Sequence, residues 1–162
     1  MQRHQLGIEW GRQGANWWPI GGQPSALQVG PTYLYGLQYA FIANRWLQLE
    51  ASVLVGDQFS LVDEEYFFMG GYQQLDLLAI PIKLRIHYWQ NNRFQASGFV
   101  MMQNDFYKRI NHINMYGFGS GFSFRYQDLM LKVDALVLHQ LTALRAASYL
   151  QPGLRFGVNY AF

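Results

Sequence analysis

The chain has no cysteine, which excludes disulfides and thiolate metal sites. It is also short of charge: Asp, Glu, Lys and Arg make up 14% of its 162 residues, against roughly 25% in ordinary soluble domains. No stretch reaches the ~18 consecutive apolar residues that a membrane-spanning helix needs. The net charge of +2 is small and scattered, which excludes a nucleic-acid partner. No leader-like apolar segment follows Met1, because Gln2, Arg3, His4 and Gln5 come directly after it; if the protein is exported, the expectation is that this is the processed chain. What the sequence has in excess is aromatic residues, at 17%. Few charges, many aromatics and no hydrophobic run are the requirements of a transmembrane β-barrel, whose apolar residues are spread by alternation. The length fits one domain over 1–162.

Alternation is the dominant pattern. Successive side chains of a strand point to opposite faces, so an apolar residue at every second position marks one greasy face. Leu6, Ile8 and Trp10 form such a face, opposed by Gly7 and Glu9. The run from Leu27 to Phe41 is far longer than the usual strand of about five or six residues. It carries Tyr33, Tyr35, Leu37 and Tyr39 on one side, Gly36, Gln38 and Ala40 on the other. Leu47, Leu49, Ala51, Val53 and Val55 oppose Gln48, Glu50, Ser52 and Gly56. Leu78 to Tyr88 opposes Ile, Leu and Tyr to Ala79, Pro81, Lys83, Arg85 and His87. Pro81 cannot donate a ladder hydrogen bond, which ordinarily confines a proline to an edge. Phe94 to Gln103 reads as a strand with poorly separated faces. Tyr116 to Tyr126 sets Phe118, Phe122 and Phe124 against Gly117, Gly119, Gly121, Ser123 and Arg125. Leu129 to Val137 alternates with Met130, Lys132 and Asp134, and Leu154, Phe156, Val158, Tyr160 and Phe162 alternate with Arg155, Gly157, Asn159 and Ala161.

This predicts an all-β chain: an eight-stranded antiparallel up-and-down transmembrane β-barrel. Short turns at Ala43 to Arg45, Gln90 to Asn92 and Gln127-Asp128 alternate with longer loops at Gly11 to Ala26, Asp57 to Tyr72, Asp105 to His112 and Leu141 to Ser148. A soluble barrel would put the apolar set inside and the charges out. Here the charges share a face with glycines, serines and glutamines, which suits a crowded lumen. The opposite faces are too apolar for water.

The strands so placed resemble those of the PorT-like family of small outer-membrane β-barrels. The resemblance runs nearly end to end. It is carried by the Gly-rich opening Gln5 to Gly11, by Leu77 to Tyr88 with its Ile80-Pro81 pair, by the Gly-rich Gly117 to Tyr126 with its closing aromatic-Arg pair, and by the ending Gly157 to Phe162. Ala79 departs from the pattern, standing where the family usually has an inward glutamate. The resemblance implies an outer-membrane location in a Gram-negative cell, with both termini periplasmic. It also implies contact with outer-membrane lipid and lipopolysaccharide, and insertion by the barrel-assembly machinery. Phe156, Val158, Tyr160 and Phe162 would then form the assembly signal.

Parity assigns Glu9, Glu50, Lys83, Arg85, Arg125, Lys132, Asp134 and Arg155 to the lumen. They read either as a pore lining or as a salt-bridged plug, and an eight-stranded barrel is only wide enough for side chains, which favours the plug. Lys132 with Asp134, and Glu9 with Arg155, are the expected pairs. His139 with Thr142 or Ser148 would suit acyl transfer, but the spacing fits no known nucleophile arrangement. The scattered histidines do not form a metal site. Asp63, Glu64 and Glu65 read as a solvated loop. Trp17, Trp18, Tyr66, Phe67 and Phe68 are apolar residues in expected loops, suited to the barrel rim or to a partner protein. The expectation is a non-enzymatic structural or accessory subunit of an outer-membrane assembly, with no cofactor and other outer-membrane proteins as partners. A lipid A-modifying enzyme and a small pore are the alternatives.

Overall fold

Strands with one apolar and one polar face leave unpaired backbone at the sheet edges unless the sheet closes on itself. In the computed structural model it closes. The structure describes residues 3–13, 18–20, 27–62, 71–107, 110–140 and 148–162. Its strands are β1 (His4–Gln13), β2 (Trp18–Ile20), β3 (Leu27–Ile42), β4 (Leu47–Val62), β5 (Gly71–Gln90), β6 (Phe94–Tyr107), β7 (Ile110–Tyr126), β8 (Leu129–Gln140) and β9 (Ser148–Ala161). The long strands form a closed eight-stranded antiparallel barrel in chain order. The seam joins β1 to β9, with Gln5 opposite Ala161 and Glu9 opposite Gly157. The short β2 continues along β9 beyond the end of β1, placing Trp18 opposite Leu150.

Three tight turns lie at the same end as the two termini, and their chemistry is local. The Asn44 side-chain oxygen accepts from the backbone N–H groups of Trp46 and Leu47, at 2.8 and 3.0 Å. Asn91 does the same for Arg93 and Phe94, at 2.9 and 2.7 Å. Both are Asx turns, in which a short side chain replaces a missing backbone acceptor. The third turn places Gln127 at φ 55°.

Burial follows parity. Leu6, Ile8, Leu37, Val53, Ile86, Val100, Phe118, Leu131 and Tyr160 face outward and are exposed, while the residues between them face the lumen. Aromatic side chains gather at the seam near the termini. His4 packs against Tyr39, Phe41 and Phe162, at ring-centroid distances of 6.0, 5.5 and 6.0 Å.

Several expected boundaries are corrected. Both ends of the loop expected from Asp57 to Tyr72 are strand, because β4 continues to Val62 and β5 begins at Gly71. Likewise β6 runs through Asp105 to Tyr107 and β7 starts at Ile110, and β1 continues past Gly11 to Gln13. Ladder hydrogen bonds join backbone groups, so strands continue past the apolar band, where alternation no longer marks them. Pro81 lies well inside β5, not at an edge. The β4–β5 ladder is interrupted between Ala51–Ile82 and Leu54–Ala79, and it resumes in unchanged register. On its other side Pro81 pairs with Gln103. A closed wall thus accommodates the missing N–H by losing local pairing to one neighbour only. Pro31 sits where the β3–β4 register shifts, between Val29 and Thr32, which is a usual place for a strand proline.

Candidate functional site

The largest concentration of chemistry is inside the barrel, and strand parity builds it. β4 carries Glu50 and Ser52, β5 carries Lys83 and Arg85, β8 carries Lys132 and Asp134, and β1 and β9 add Glu9 and Arg155. All eight are buried. An unpaired ion in such a space costs several kcal/mol, roughly, so each must find a counter-charge.

Arg85 is the hub. Its Nε donates to Glu50 Oε1 at 2.7 Å and its Nη2 to Glu50 Oε2 at 3.2 Å. The same guanidinium reaches Asp134 through Nη1 at 2.9 Å and Nη2 at 2.6 Å. A planar fork with several donors makes both contacts possible, which an ammonium could not reproduce. Lys83 Nζ lies 2.7 Å from Glu9 Oε1 and 3.2 Å from Asp134 Oδ2. Lys132 Nζ lies 3.1 Å from Glu50 Oε1. Arg155 Nη1 lies 3.3 Å from Glu9 Oε1, and its Nη2 donates to Gln103. Glutamines fill the remaining valences: Gln38 donates to both Glu9 and Glu50, at 2.9 and 3.1 Å, and Gln48 donates to Glu50 at 2.9 Å. Ser52 Oγ donates to Glu9 Oε2.

The space among Glu9, Gln38, Lys83, Lys132, Asp134 and Arg155 has no room for a water molecule. Toward the loop end the lumen lining is mixed, with apolar clusters beside buried Gln13, Gln103, Asp105 and Gln151. Phe99, Met101, Met115, Leu136 and Leu138 form one cluster and Leu34, Leu54, Leu77 and Ala79 another. Between the two sides, Gln13 donates to Gln151 at 3.1 Å, and Gln103 donates to Asp105 at 2.8 Å. Phe99 also lies under the Arg85 guanidinium, at 4.9 Å. Ala79 lies in the apolar cluster with Leu34, Leu54 and Leu77, and it pairs across the ladder with Asp105.

Seven of the eight charged residues assigned to the lumen by parity meet in this network. Arg125 does not. It is partly exposed, near the turn end, and lines a separate opening with His87 and Gln95. Its strand reaches the rim there, so inward parity leads to the mouth of the barrel and not to its middle. The pairing also differs from expectation in one place. Lys132 reaches across the lumen to Glu50, and Asp134 is held by Arg85 and Lys83, because alternate side chains of one strand run parallel while facing strands converge. The Glu9–Arg155 contact forms across the seam.

The residues that sequence reasoning passed over are the inward glutamines and Asp105, which had been assigned to a loop. Their parity with the charges was the available signal. Phe156, Tyr160 and Phe162 are exposed on the outer wall and Val158 is partly so. Trp18 lies in β2, while Trp17, Tyr66, Phe67, Phe68, Thr142 and the acidic run Asp63 to Glu65 lie outside the described residues. His139 is half-buried opposite Leu150 and Tyr116. Among the described residues no group of three His, Asp or Glu is placed to hold a metal.

No protein-family model matches the chain, and no curated protein does. Solved structures do match, over nearly the whole chain. The outer membrane protein OprG from Pseudomonas aeruginosa aligns with a TM-score of 0.60 at 12% identity, covering 99% of this chain and 96% of that one. The N-terminal β-barrel domain of Pseudomonas aeruginosa OprF aligns with a TM-score of 0.51 at 14% identity, covering 96% and 97%. The attachment invasion locus protein Ail of Yersinia pestis aligns with a TM-score of 0.50 at 10% identity, covering 100% of both chains. At such identities the likeness is one of fold, and the fold is that of the small outer-membrane β-barrels.

Proposed function

We propose that the protein is a non-enzymatic integral outer-membrane β-barrel of the PorT-like kind, serving as a structural or accessory subunit of a larger outer-membrane assembly concerned with secretion, protein insertion or uptake. The observation that carries this reading is the lumen. Among the described residues the middle of the lumen is filled by an ion network of four cations and three carboxylates, with no room for water among Glu9, Gln38, Lys83, Lys132, Asp134 and Arg155, and by apolar side chains packed beside it. With the middle of the lumen filled, the outer wall, the loops and the turn-end mouth are left to meet other molecules. The outer wall is an unbroken apolar band suited to lipid. Short turns beside both termini support a periplasmic position for that end, with lipopolysaccharide and partner proteins met at the loop end.

The test is purification from native membranes in mild detergent, with the co-purifying proteins identified. A reproducible outer-membrane partner in stoichiometric amount supports the subunit reading, and a barrel that purifies alone at every detergent strength refutes it. Migration of unheated and boiled samples on a denaturing gel reports the barrel separately. A closed barrel resists detergent until heated, so the two samples should migrate differently.

A further inference from the structure

The turn end of the barrel is built differently from its middle. Below the ion network the lumen opens into a cavity of about 360 Å³, lined by Arg45, Arg125, His87, Gln48, Gln90 and Gln95, with Ile42 and Ala161 at its side. A space of this size is large enough for a small solute. No carboxylate lines it: Glu50, reached through Gln48, and Asp128, in the β7–β8 turn, are not among the lining residues. Neither guanidinium takes part in the ion network deeper in the lumen. Arg45 lies over the Trp46 ring at 4.7 Å, which holds its stem at the mouth.

The polar groups in this cavity are set by their neighbours. Gln48 donates to Glu50, so its carbonyl oxygen faces His87 Nε2 at 3.2 Å and fixes a proton on that nitrogen. His87 Nδ1 is then a buried atom with no hydrogen-bond partner, although the residue is only 5% exposed. With the proton on Nε2, Nδ1 is an acceptor, so it suits a hydroxyl or other donor on a bound solute and not the anionic group itself. The Ser123 hydroxyl donates to Gln95 Oε1 at 3.3 Å, leaving the Gln95 amide nitrogen as a donor. Arg85, Lys132 and Arg125 all act on the His87 ring, with Glu50 the one opposing charge among the principal influences. The cavity therefore combines a positive field, planar guanidinium forks and amide donors.

We propose that this vestibule binds a small solute bearing an oxyanion, a carboxylate or a phosphate, with Arg125 and Arg45 holding the anionic group and the glutamines its polar remainder. Guanidinium forks match both oxyanions in a bidentate manner, so the two share one recognition chemistry. In the orientation proposed above, the solute enters from the periplasm. The site stands apart from the subunit reading, whose test is co-purification.

Folded protein in detergent, or in a lipid nanodisc, is titrated calorimetrically with citrate and with inorganic phosphate, using glucose as a neutral control. The His87 imidazole resonances are followed by NMR in parallel. Saturable binding of either anion with displacement of the His87 signals is expected, and which anion binds more tightly assigns the source as carboxylate or phosphate. The double substitution Arg45→Gln with Arg125→Gln should weaken binding about tenfold or more, the scale of losing charge-assisted hydrogen bonds. Arg12→Gln, at the opposite end, should leave it unchanged. Should the double variant lose heat-modifiable migration, the two single variants replace it. Absence of saturable binding by both anions, or equal weakening by Arg12→Gln, overturns the proposal.

Discussion

Gly121 on β7 stands directly opposite Asp134 on β8, and the missing side chain admits the Arg85 guanidinium to the Asp134 carboxylate. A Cβ at this position would run into Asp134 Oδ1 and Arg85 Nη1. Gly157 also faces the lumen, but its Cβ would meet Ile8 O and Lys132 Cε at an ordinary 3.6 Å. The two glycines therefore predict opposite outcomes. Gly121→Ala should destabilise the barrel by about 1–3 kcal/mol, as overpacking does, whereas Gly157→Ala should be nearly neutral. Unfolding in urea from lipid vesicles measures both, and equal effects would show that the lumen adjusts freely around Arg85.

Arg85 holds two carboxylates at once. Its truncation should therefore exceed that of any other residue of the network. Arg85→Ala leaves Glu50 and Asp134 short of their bidentate partner, for an expected loss of about 3–5 kcal/mol. Arg85→Lys keeps the charge but not the fork, so it should recover only part of that loss. The same unfolding measurement ranks the three proteins, and a lysine variant as stable as the native protein would contradict the role of the fork.

The barrel was legible because alternation is a direct consequence of strand geometry, and because its polar side carried glycines and charges together. Lys83, Arg85, Glu50 and Glu9 could be placed inward from parity alone. Which of them meet could not, because that depends on which strands face each other across the lumen. Lys132 with Asp134 looked natural in one dimension, yet Glu50 lies nearer in space to Lys132. The faces of β6 were poorly separated for a physical reason: its inward Phe99 and Met101 are apolar because they pack in a lumen cluster with Met115, Leu136 and Leu138. The vestibule at Arg125 was missed because parity gives a face but not a depth.

The closing strand carries a separate prediction. Phe162 extends the outer apolar row of β9, stacks near His4 and donates its backbone N–H to His4 O at 3.0 Å. If the ending is read during assembly, deleting Phe162 should lower the amount inserted in the outer membrane several-fold while leaving synthesis unchanged. Phe162→Tyr, which keeps an aromatic ring, should insert normally. Quantitative immunoblots of membrane and soluble fractions measure this, and unchanged insertion of the deleted form would leave Phe162 a seam contact only.

The last prediction concerns conduction. Two obstacles fill the lumen side by side: the ion network around Arg85, and the apolar cluster of Phe99, Met101, Met115, Leu136 and Leu138, whose Phe99 packs against Arg85. Close-packed side chains leave no path for ions, and the network itself has no room for water at its centre. The native protein in a planar bilayer should therefore show no steady single-channel current. Arg155→Ala opens space beside Glu9 and Gln103 but leaves the apolar cluster in place, so it too should remain silent. Adding Phe99→Ala and Leu136→Ala to that variant should produce measurable conductance, since both obstacles are then breached. A large, stable native conductance would refute the plug and make a pore the leading reading. A current in Arg155→Ala alone would show that the ion network is the sole barrier and that the apolar residues beside it are wetted.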